Sequence, residues 1–244
     1  MDSKEILHQL ERHQDNQSIK AVVVRVNSPG GGVAAAQEIH EELNKTRSRY
    51  GKPVVVSMGS LAASGGYYIA CASDRIFANP GTITGSIGVI VQLANISQLL
   101  QKVGIRSVVI KSGEHKDMGS MTKEISPEDQ RIFQGVLDDA HDQFIEAVVK
   151  GRKLDQARVR EIADGRIFTG RQAMGLGLVD EMGDLADAIS FAAQMVRIKG
   201  KPKIVEERRR KLSFLELMGS KMFPSFFPAT DGMGGSLSVQ YLMK

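Results

Sequence analysis

The fold is organised around Leu61-Ala62-Ala63-Ser64-Gly65-Gly66-Tyr67-Tyr68, which joins a strand to a helix. Before it, Pro53-Val54-Val55-Val56-Ser57 is a β-branched run typical of a buried strand. After Ser64, residues 67–72 are apolar and predict a helix. Small residues on both sides let backbone and substrate approach the Ser64 hydroxyl closely. A helix N-terminus at this point would supply free N–H groups and positive partial charge, which suit a developing oxyanion.

Ser64 has two interpretations. Serine is favoured as a helix N-cap, and a strand–Ser–Gly–Gly–helix pattern on its own predicts no more than that. The alternative is a nucleophile placed at a strand end. The other motifs of the chain decide between the two.

A second strand–loop–helix unit precedes this one. Residues 19–26 predict a central strand, because they are apolar on both faces, and residues 34–50 predict a helix. Between them, Gly30-Gly31-Gly32 predicts a turn with exposed N–H groups. Two successive βα units favour a largely parallel sheet in an α/β protein, with ligands at the carboxyl ends of the strands. We therefore expect the glycine turn and Ser64 to face one pocket.

The glycine turn has three interpretations. It lacks the patterns of dinucleotide-binding and P-loop phosphate sites. It could be a plain turn. It could also form half of an oxyanion hole, with its N–H facing the N–H that follows Ser64, which explains why both loops fall at one sheet edge.

The remaining elements follow from apolar periodicity and capping signals. Strands are predicted at 75–78 and 106–111, and residues 82–91 form a β-like run broken by glycines. The helices are predicted at 3–14, 96–103, 126–150, 155–163, 171–174 and 185–196.

Composition indicates an ordinary globular protein. Of 244 residues, 42% are hydrophobic and 25% charged, which is enough for a large core. The net charge of +4 and the scattered basic residues favour no nucleic-acid partner. The single cysteine, Cys71, allows no intramolecular disulfide and is expected in the core. No zinc-like spacing is present, so we expect no metal and no nucleotide cofactor.

The amino-acid composition of the chain changes near residue 198. Residues 1–198 are predicted as one domain, with a helical extension over about 126–165. Residues 199–244 form a basic, partly apolar tail that we expect to be flexible and poorly ordered alone. Its basic run 208–211 followed by phenylalanines suggests contact with an anionic membrane surface. A tail with no partner is the alternative. No apolar run approaches the ~18 residues that span a bilayer, so the chain as given is expected to be soluble.

A nucleophilic serine needs a base. Four of the five histidines lie on predicted helices and are expected at the surface. Only His115 lies in a loop at a strand end, and Lys116 follows it. Lysine can serve as base when its surroundings lower its pKa. Spacing alone does not choose between the two, and a solvated charged loop is the alternative for both, given Glu114 and Asp117 alongside.

Four motifs, in order, resemble one family, signal peptide peptidase A (SppA) in its short bacterial form. The resemblance runs from about residue 2 to residue 196. The motifs are Arg25-Val26-Asn27-Ser28-Pro29-Gly30-Gly31-Gly32, Ala62-Ala63-Ser64-Gly65-Gly66-Tyr67-Tyr68, Thr84-Gly85-Ser86-Ile87-Gly88-Val89 and Gly113-Glu114-His115-Lys116-Asp117-Met118-Gly119.

The resemblance implies a fold and a site. The fold is that of the Clp protease and the crotonases: repeated ββα units with helices on a curved, largely parallel sheet. The implied activity is a Ser–Lys endopeptidase that degrades residual signal peptides and other unfolded apolar peptides. Ser64 would be the nucleophile and Lys116 the base. Ser86 would orient the lysine, and the N–H groups of Gly31 and Gly65 would bind the oxyanion. The resemblance thus favours Lys116 over His115.

It also implies an assembly and a location. Members form homo-oligomeric rings in which the serine and lysine of one site come from neighbouring subunits. They act at the bacterial cell membrane, with the catalytic domain on the extracytoplasmic side. They normally begin with a membrane-spanning helix and a first strand or two. This sequence starts at Met1-Asp2-Ser3 without them, so a trimmed catalytic domain is expected.

Three alternatives remain at the level of sequence. A related Ser–Lys membrane protease that cleaves stomatin-like proteins would share the chemistry and differ in substrate. A crotonase-type acyl-CoA enzyme would share the fold and the oxyanion hole but would need no nucleophilic serine. A protease-like scaffold would bind membrane proteins without catalysis.

Overall fold

The computed structural model describes residues 3–206 and 236–243. Helices and strands alternate along most of this length. The helices are α1 (Ser3–Gln14), α2 (Val33–Ser48), α3 (Gly65–Ala70), α4 (Ser97–Lys102), α5 (Pro127–Arg152), α6 (Gln156–Ile162), α7 (Gly170–Gly175) and α8 (Leu185–Met195). The strands are β1 (Ile19–Ser28), β2 (Val54–Ala63), β3 (Arg75–Ala78), β4 (Ile83–Gly85), β5 (Ile167–Thr169), β6 (Glu181–Met182), β7 (Lys203–Glu206) and β8 (Ser236–Met243).

The chain forms two compact units. One contains the described residues up to Ile87 and from Ile145 onward, including the whole sheet. The other, Gly88–Phe144, contains α4 and the first part of α5. The sequence did not indicate a second unit in the middle of the chain.

Within the described residues the sheet has eight strands and is mostly parallel. Its main path runs β5-β4-β2-β1-β8-β7, with β3 pairing β2 and β6. The pairs β1–β2, β2–β3, β2–β4 and β3–β6 are parallel, and the three pairs made by β5, β7 and β8 are antiparallel. This confirms the α/β class with helices flanking a largely parallel sheet.

Strand β1 lies in the interior of the sheet because both of its faces are apolar. Val22, Val24 and Val26 alternate with Ala21 and Val23, and all are buried. On one face, Ala21 and Val23 pack in a cluster with three alanines of α8, whose small side chains allow close approach of the helix. The remaining members of this cluster are Val55, Phe77 and Leu242. The prediction of a central strand is therefore confirmed.

The prediction of a flexible tail over 199–244 is wrong at two strands. β8 pairs antiparallel with β1 along eight residue pairs, and β7 pairs with β8. Tyr241 and Leu242 are fully buried. The apolar residues at the chain end are therefore part of the sheet. The basic run 208–211 and the phenylalanines after it lie outside the described residues.

Two predicted β segments are also corrected. Residues 106–111 form no strand, since Val108 and Ile110 are 83% and 97% exposed and the described residues offer no neighbouring strand with which to bond. In the run 82–91, only Ile83–Gly85 is a strand, and Ser86 turns away with a positive φ. Among the described residues, no helix has the length and apolarity to cross a bilayer.

Candidate active site

Ser64 has a strained backbone at the junction of β2 and α3. Its φ of 52° and ψ of −123° lie in a region that residues with a side chain rarely adopt. Although it occupies the N-cap position, its side chain makes no capping hydrogen bond. The half-buried hydroxyl thus does not serve the helix. The capping interpretation is therefore wrong, and strain of this kind is typical of functional positions.

Neighbouring backbone holds Ser64 in this conformation. Its N–H donates to the Gly85 carbonyl at 2.9 Å, and its carbonyl accepts from the Tyr68 N–H at 2.9 Å. The first bond continues the parallel register in which Ala63 lies opposite Gly85. The strand end and the first turn of α3 thus fix the serine from both sides.

The glycine turn contacts this junction directly. A methyl group added at Gly30, whose φ is +113°, would lie 2.8 Å from the Gly65 nitrogen and 2.9 Å from Ser64 Cβ. A methyl group added at Gly65 would lie 3.3 Å from the Gly31 nitrogen. Only glycine permits this approach. The Gly31 and Gly65 nitrogens therefore lie close together beside Ser64, so the prediction that the two loops meet is confirmed.

The turn is held in place by Ser28. The Gly30 N–H donates to the Ser28 hydroxyl at 3.2 Å, and Ser28 is buried at the end of β1. The oxyanion donors proposed from the sequence thus rest on a buried strand end. Donors fixed before reaction lose little in reorganisation when charge develops.

Ser86 lies at the end of the neighbouring strand. It follows Gly85 as Ser64 follows Ala63, so the two serines are one step beyond paired residues of β4 and β2. Its φ of 51° nearly equals that of Ser64, and its N–H donates to the Arg166 carbonyl at 2.8 Å. The structure therefore brings Ser64, Ser86, Gly31 and Gly65 to one edge of the sheet.

Helix α3 is anchored below the site by a buried polar contact. The Tyr67 hydroxyl donates to the Leu178 carbonyl at 2.9 Å. Burial raises the pKa of the Cys71 thiol to about 12, so this residue is a core thiol as expected.

His40, expected at the surface, is partly buried on α2. Its ring meets the Tyr68 ring edge-on at 4.9 Å between centroids. Burial, with Arg47 and Lys150 nearby, lowers the pKa of His40 to about 4. The ring is therefore neutral at pH 7 and packs α2 against α3.

Lys116 belongs to the other unit. It is exposed, and its N–H donates to the Gly113 carbonyl at 3.2 Å within a series of turns. In the described part of the chain its ammonium has no ion-pair partner. His115 is half-buried and lies 3.1 Å from Asp129 through Nδ1. The sequence offered no signal for this His115–Asp129 pair, because its members are 14 positions apart.

Metal ligands are absent from the described ranges 3–206 and 236–243. No group of three His, Cys, Asp or Glu side chains there could hold an ion.

Comparison with known proteins identifies the family. Residues 46–199 match the model of peptidase family S49, and residues 1–84 match that of the Clp protease. The chain belongs to peptidase family S49. The first of the two matches covers both Ser64 and Lys116, and the second shows that the α/β domain is Clp protease-like. The resemblance to SppA-type peptidases is thereby confirmed.

Individual relatives of this S49 chain support the same family assignment. It is 49% identical to a putative protease of Synechocystis sp. over 72% of this chain and 62% of that protein. It is 44% identical to a putative signal peptide peptidase SppA of Enterococcus faecium over 75% and 53% of the two chains. It is 42% identical to protease 4 of Salmonella typhi over 74% and 29%. The chain thus spans less than two thirds of the length of these curated relatives.

Proposed function

We propose that this chain is a serine endopeptidase with Ser64 as nucleophile and Lys116 as general base. The observation that carries the proposal is the strained, uncapped Ser64 beside the Gly31 and Gly65 nitrogens. Backbone strain, a hydroxyl that does not cap its helix and two adjacent amides suit acyl transfer. Membership of peptidase family S49 supports the same chemistry.

The proposed reaction needs a neutral lysine. Its amine takes the proton of the Ser64 hydroxyl while the serine oxygen bonds to the peptide carbonyl carbon. The Gly31 and Gly65 amides stabilise the oxyanion, and Ser86 orients the lysine. The ammonium then gives its proton to the leaving amine as the C–N bond breaks. Water attacks the acyl-enzyme with the lysine again as base, which releases the acid and restores Ser64.

We propose further that copies of the chain assemble and share sites. Lys116 is exposed, and the segment before it exposes Val108 and Ile110, a pattern that suits burial against another copy. Burial there would also favour the neutral amine that a base requires. In this arrangement Lys116 of one copy serves Ser64 of its neighbour in a ring.

The proposed substrates are residual signal peptides and other unfolded apolar peptides at the bacterial membrane, on its extracytoplasmic side. The Enterococcus faecium relative is named as a signal peptide peptidase, which supports this substrate class. The small residues around Ser64 fit peptides with small apolar side chains near the cut. The proposed contact of residues 208–227 with anionic membrane rests on sequence alone.

Labelling with a fluorophosphonate tests the nucleophile and the base. We expect the assembled wild type to carry the label on Ser64 by peptide mass spectrometry, and Ser64→Ala and Lys116→Ala to carry none. Lys102→Ala is the matched control, since it removes another exposed lysine of the same unit. Label that survives in Lys116→Ala would move the base to His115 or elsewhere. An unlabelled, assembled wild type would overturn the peptidase proposal.

Mixing two inactive variants tests the shared site. Equal amounts of Ser64→Ala and Lys116→Ala subunits, unfolded together and reassembled, should recover about a quarter of the wild-type labelling, because that share of randomly assembled sites has both groups intact. The label should lie only on the Lys116→Ala chains. If both groups of a site came from one chain, mixed assemblies of verified composition would stay unlabelled.

A further inference from the structure

The segment that carries Lys116 is held by ion pairs that share residues with one another. Lys111 Nζ lies 2.7 Å from Asp117 Oδ1, and Lys123 Nζ lies 3.2 Å from the same oxygen. Lys123 also reaches Asp129 Oδ2 at 3.1 Å. The set thus joins both sides of the segment to the first turn of α5.

Asp129 is the buried end of this set. Its side chain is only 3% exposed, and each of its carboxylate oxygens has a cationic or hydrogen-bonding partner: His115 Nδ1 at 3.1 Å and Lys123. Its N–H donates to the Ser126 hydroxyl at 3.0 Å, which places the carboxylate at the positive end of α5. The hydrogen bond from His115, followed by that from Lys123, holds the pKa of Asp129 well below its usual range.

In the sequence, Lys116 lies between two residues that belong to this set of contacts. His115 precedes it and is bound to Asp129, and Asp117 follows it and is bound to Lys111 and Lys123. Asp117, the nearest carboxylate in sequence, therefore already has partners, and the Lys116 side chain, among the described residues, has no ion-pair partner. A lysine paired with a carboxylate keeps its proton more firmly and makes a poorer base.

We propose that Lys111, Lys123 and His115 occupy Asp117 and Asp129 so that neither carboxylate pairs with Lys116, which leaves that lysine available as the base. This rests on the proposed function of Lys116. The named residues are positioning residues, since they act through Lys116. The other carboxylates between residue 112 and the first turn of α5 are exposed, and solvent screens them more strongly: Glu114, Glu124 and Glu128.

The pH profile of the assembled enzyme tests this inference. The acid limb of kcat/KM, measured with a fluorogenic apolar peptide, follows deprotonation of the base in the free enzyme. Lys123→Met removes one of the two cations that neutralise Asp117, which is next to Lys116 in the sequence, so the remaining negative charge favours the ammonium. We therefore expect the acid limb to move to higher pH by about 0.5 to 1 unit. Asp129→Asn removes a negative charge from the set, so its acid limb should move to lower pH.

Matched variants separate positioning from general damage. Lys123→Arg should restore the wild-type limb, and Lys102→Met should leave it unchanged. Lys111→Met removes the other cation from Asp117 and should move the acid limb in the same direction as Lys123→Met, which covers the case that Lys123→Met does not assemble. A variant that is only less stable would have a lower rate. It would not explain acid limbs that move to higher pH in the lysine variants and to lower pH in Asp129→Asn.

The outcomes also separate this inference from the function on which it rests. Lys116→Ala could be inactive while the acid limbs of Lys111→Met, Lys123→Met and Asp129→Asn coincide with that of the wild type. The ion-pair inference would then be wrong, and the Ser64–Lys116 dyad would stand. If Lys116→Ala keeps full activity, both fall.

Discussion

Gly30→Ala is expected to lower kcat by about 100-fold or more, the size of effect seen when one oxyanion donor is lost. The added methyl group would lie 2.8 Å from the Gly65 nitrogen and 2.9 Å from Ser64 Cβ, closer than real contacts allow, and the φ of +113° disfavours any side chain. The glycine turn must therefore move away from Ser64. The Gly31 and Gly65 amides would then no longer converge on one oxygen.

Gly32→Ala is the control for this prediction. It makes the same change two positions along the turn, where an added methyl group meets nothing within 4 Å. Both variants are compared by kcat, KM and the rate of fluorophosphonate labelling, with thermal unfolding as the check on folding. Equal rates for the two variants would show that the glycine turn takes no part in the reaction.

Leu242→Ala is expected to lower the free energy of unfolding by about 2 to 5 kcal/mol, the usual cost of a cavity at a buried leucine. Leu242 is fully buried in β8 and packs in the cluster between the sheet and α8. Ile204→Ala is the matched control. It removes an aliphatic side chain from the residue paired with Leu242 on β7, but Ile204 is 40% exposed, so its loss should cost under about 1 kcal/mol.

Urea unfolding followed by circular dichroism measures both variants. The comparison distinguishes the strand from the flexible tail that the sequence predicts. If Leu242→Ala were as stable as the wild type, β8 would be detached from β1 in solution. The tail interpretation would then hold to the end of the chain.

Local patterns predicted most of the elements that form the site. The apolar runs before Gly30 and Ser64 fixed two strand ends, and the small residues after them marked the turns, since each signal lies within about ten residues. The strain at Ser64 was not predictable, because a serine before two glycines is equally typical of a helix cap. The carbonyl of Gly85, a residue of another strand, helps to hold that strain.

Contacts between residues that are far apart in the sequence were not predicted, because no local pattern indicates them. Leu237, Val239 and Tyr241 alternate with polar residues, which is typical of a strand. The pairing of this strand with β1, however, has no signal in the nearby sequence. Residues 106–111 have the composition of a strand but no described partner. Asp129 lies at the start of the helix predicted at 126–150, and its bonds to His115 and Lys123 depend on how the preceding segment folds back.

The place of β8 beside β1 has a consequence for synthesis. β1 leaves the ribosome roughly 200 residues before its antiparallel neighbour β8. At about 5 to 20 residues per second, one edge of β1 stays unpaired for some 10 to 40 s. The nascent chain therefore presents an open strand of valines during this interval, and the edge is covered only when β8 emerges.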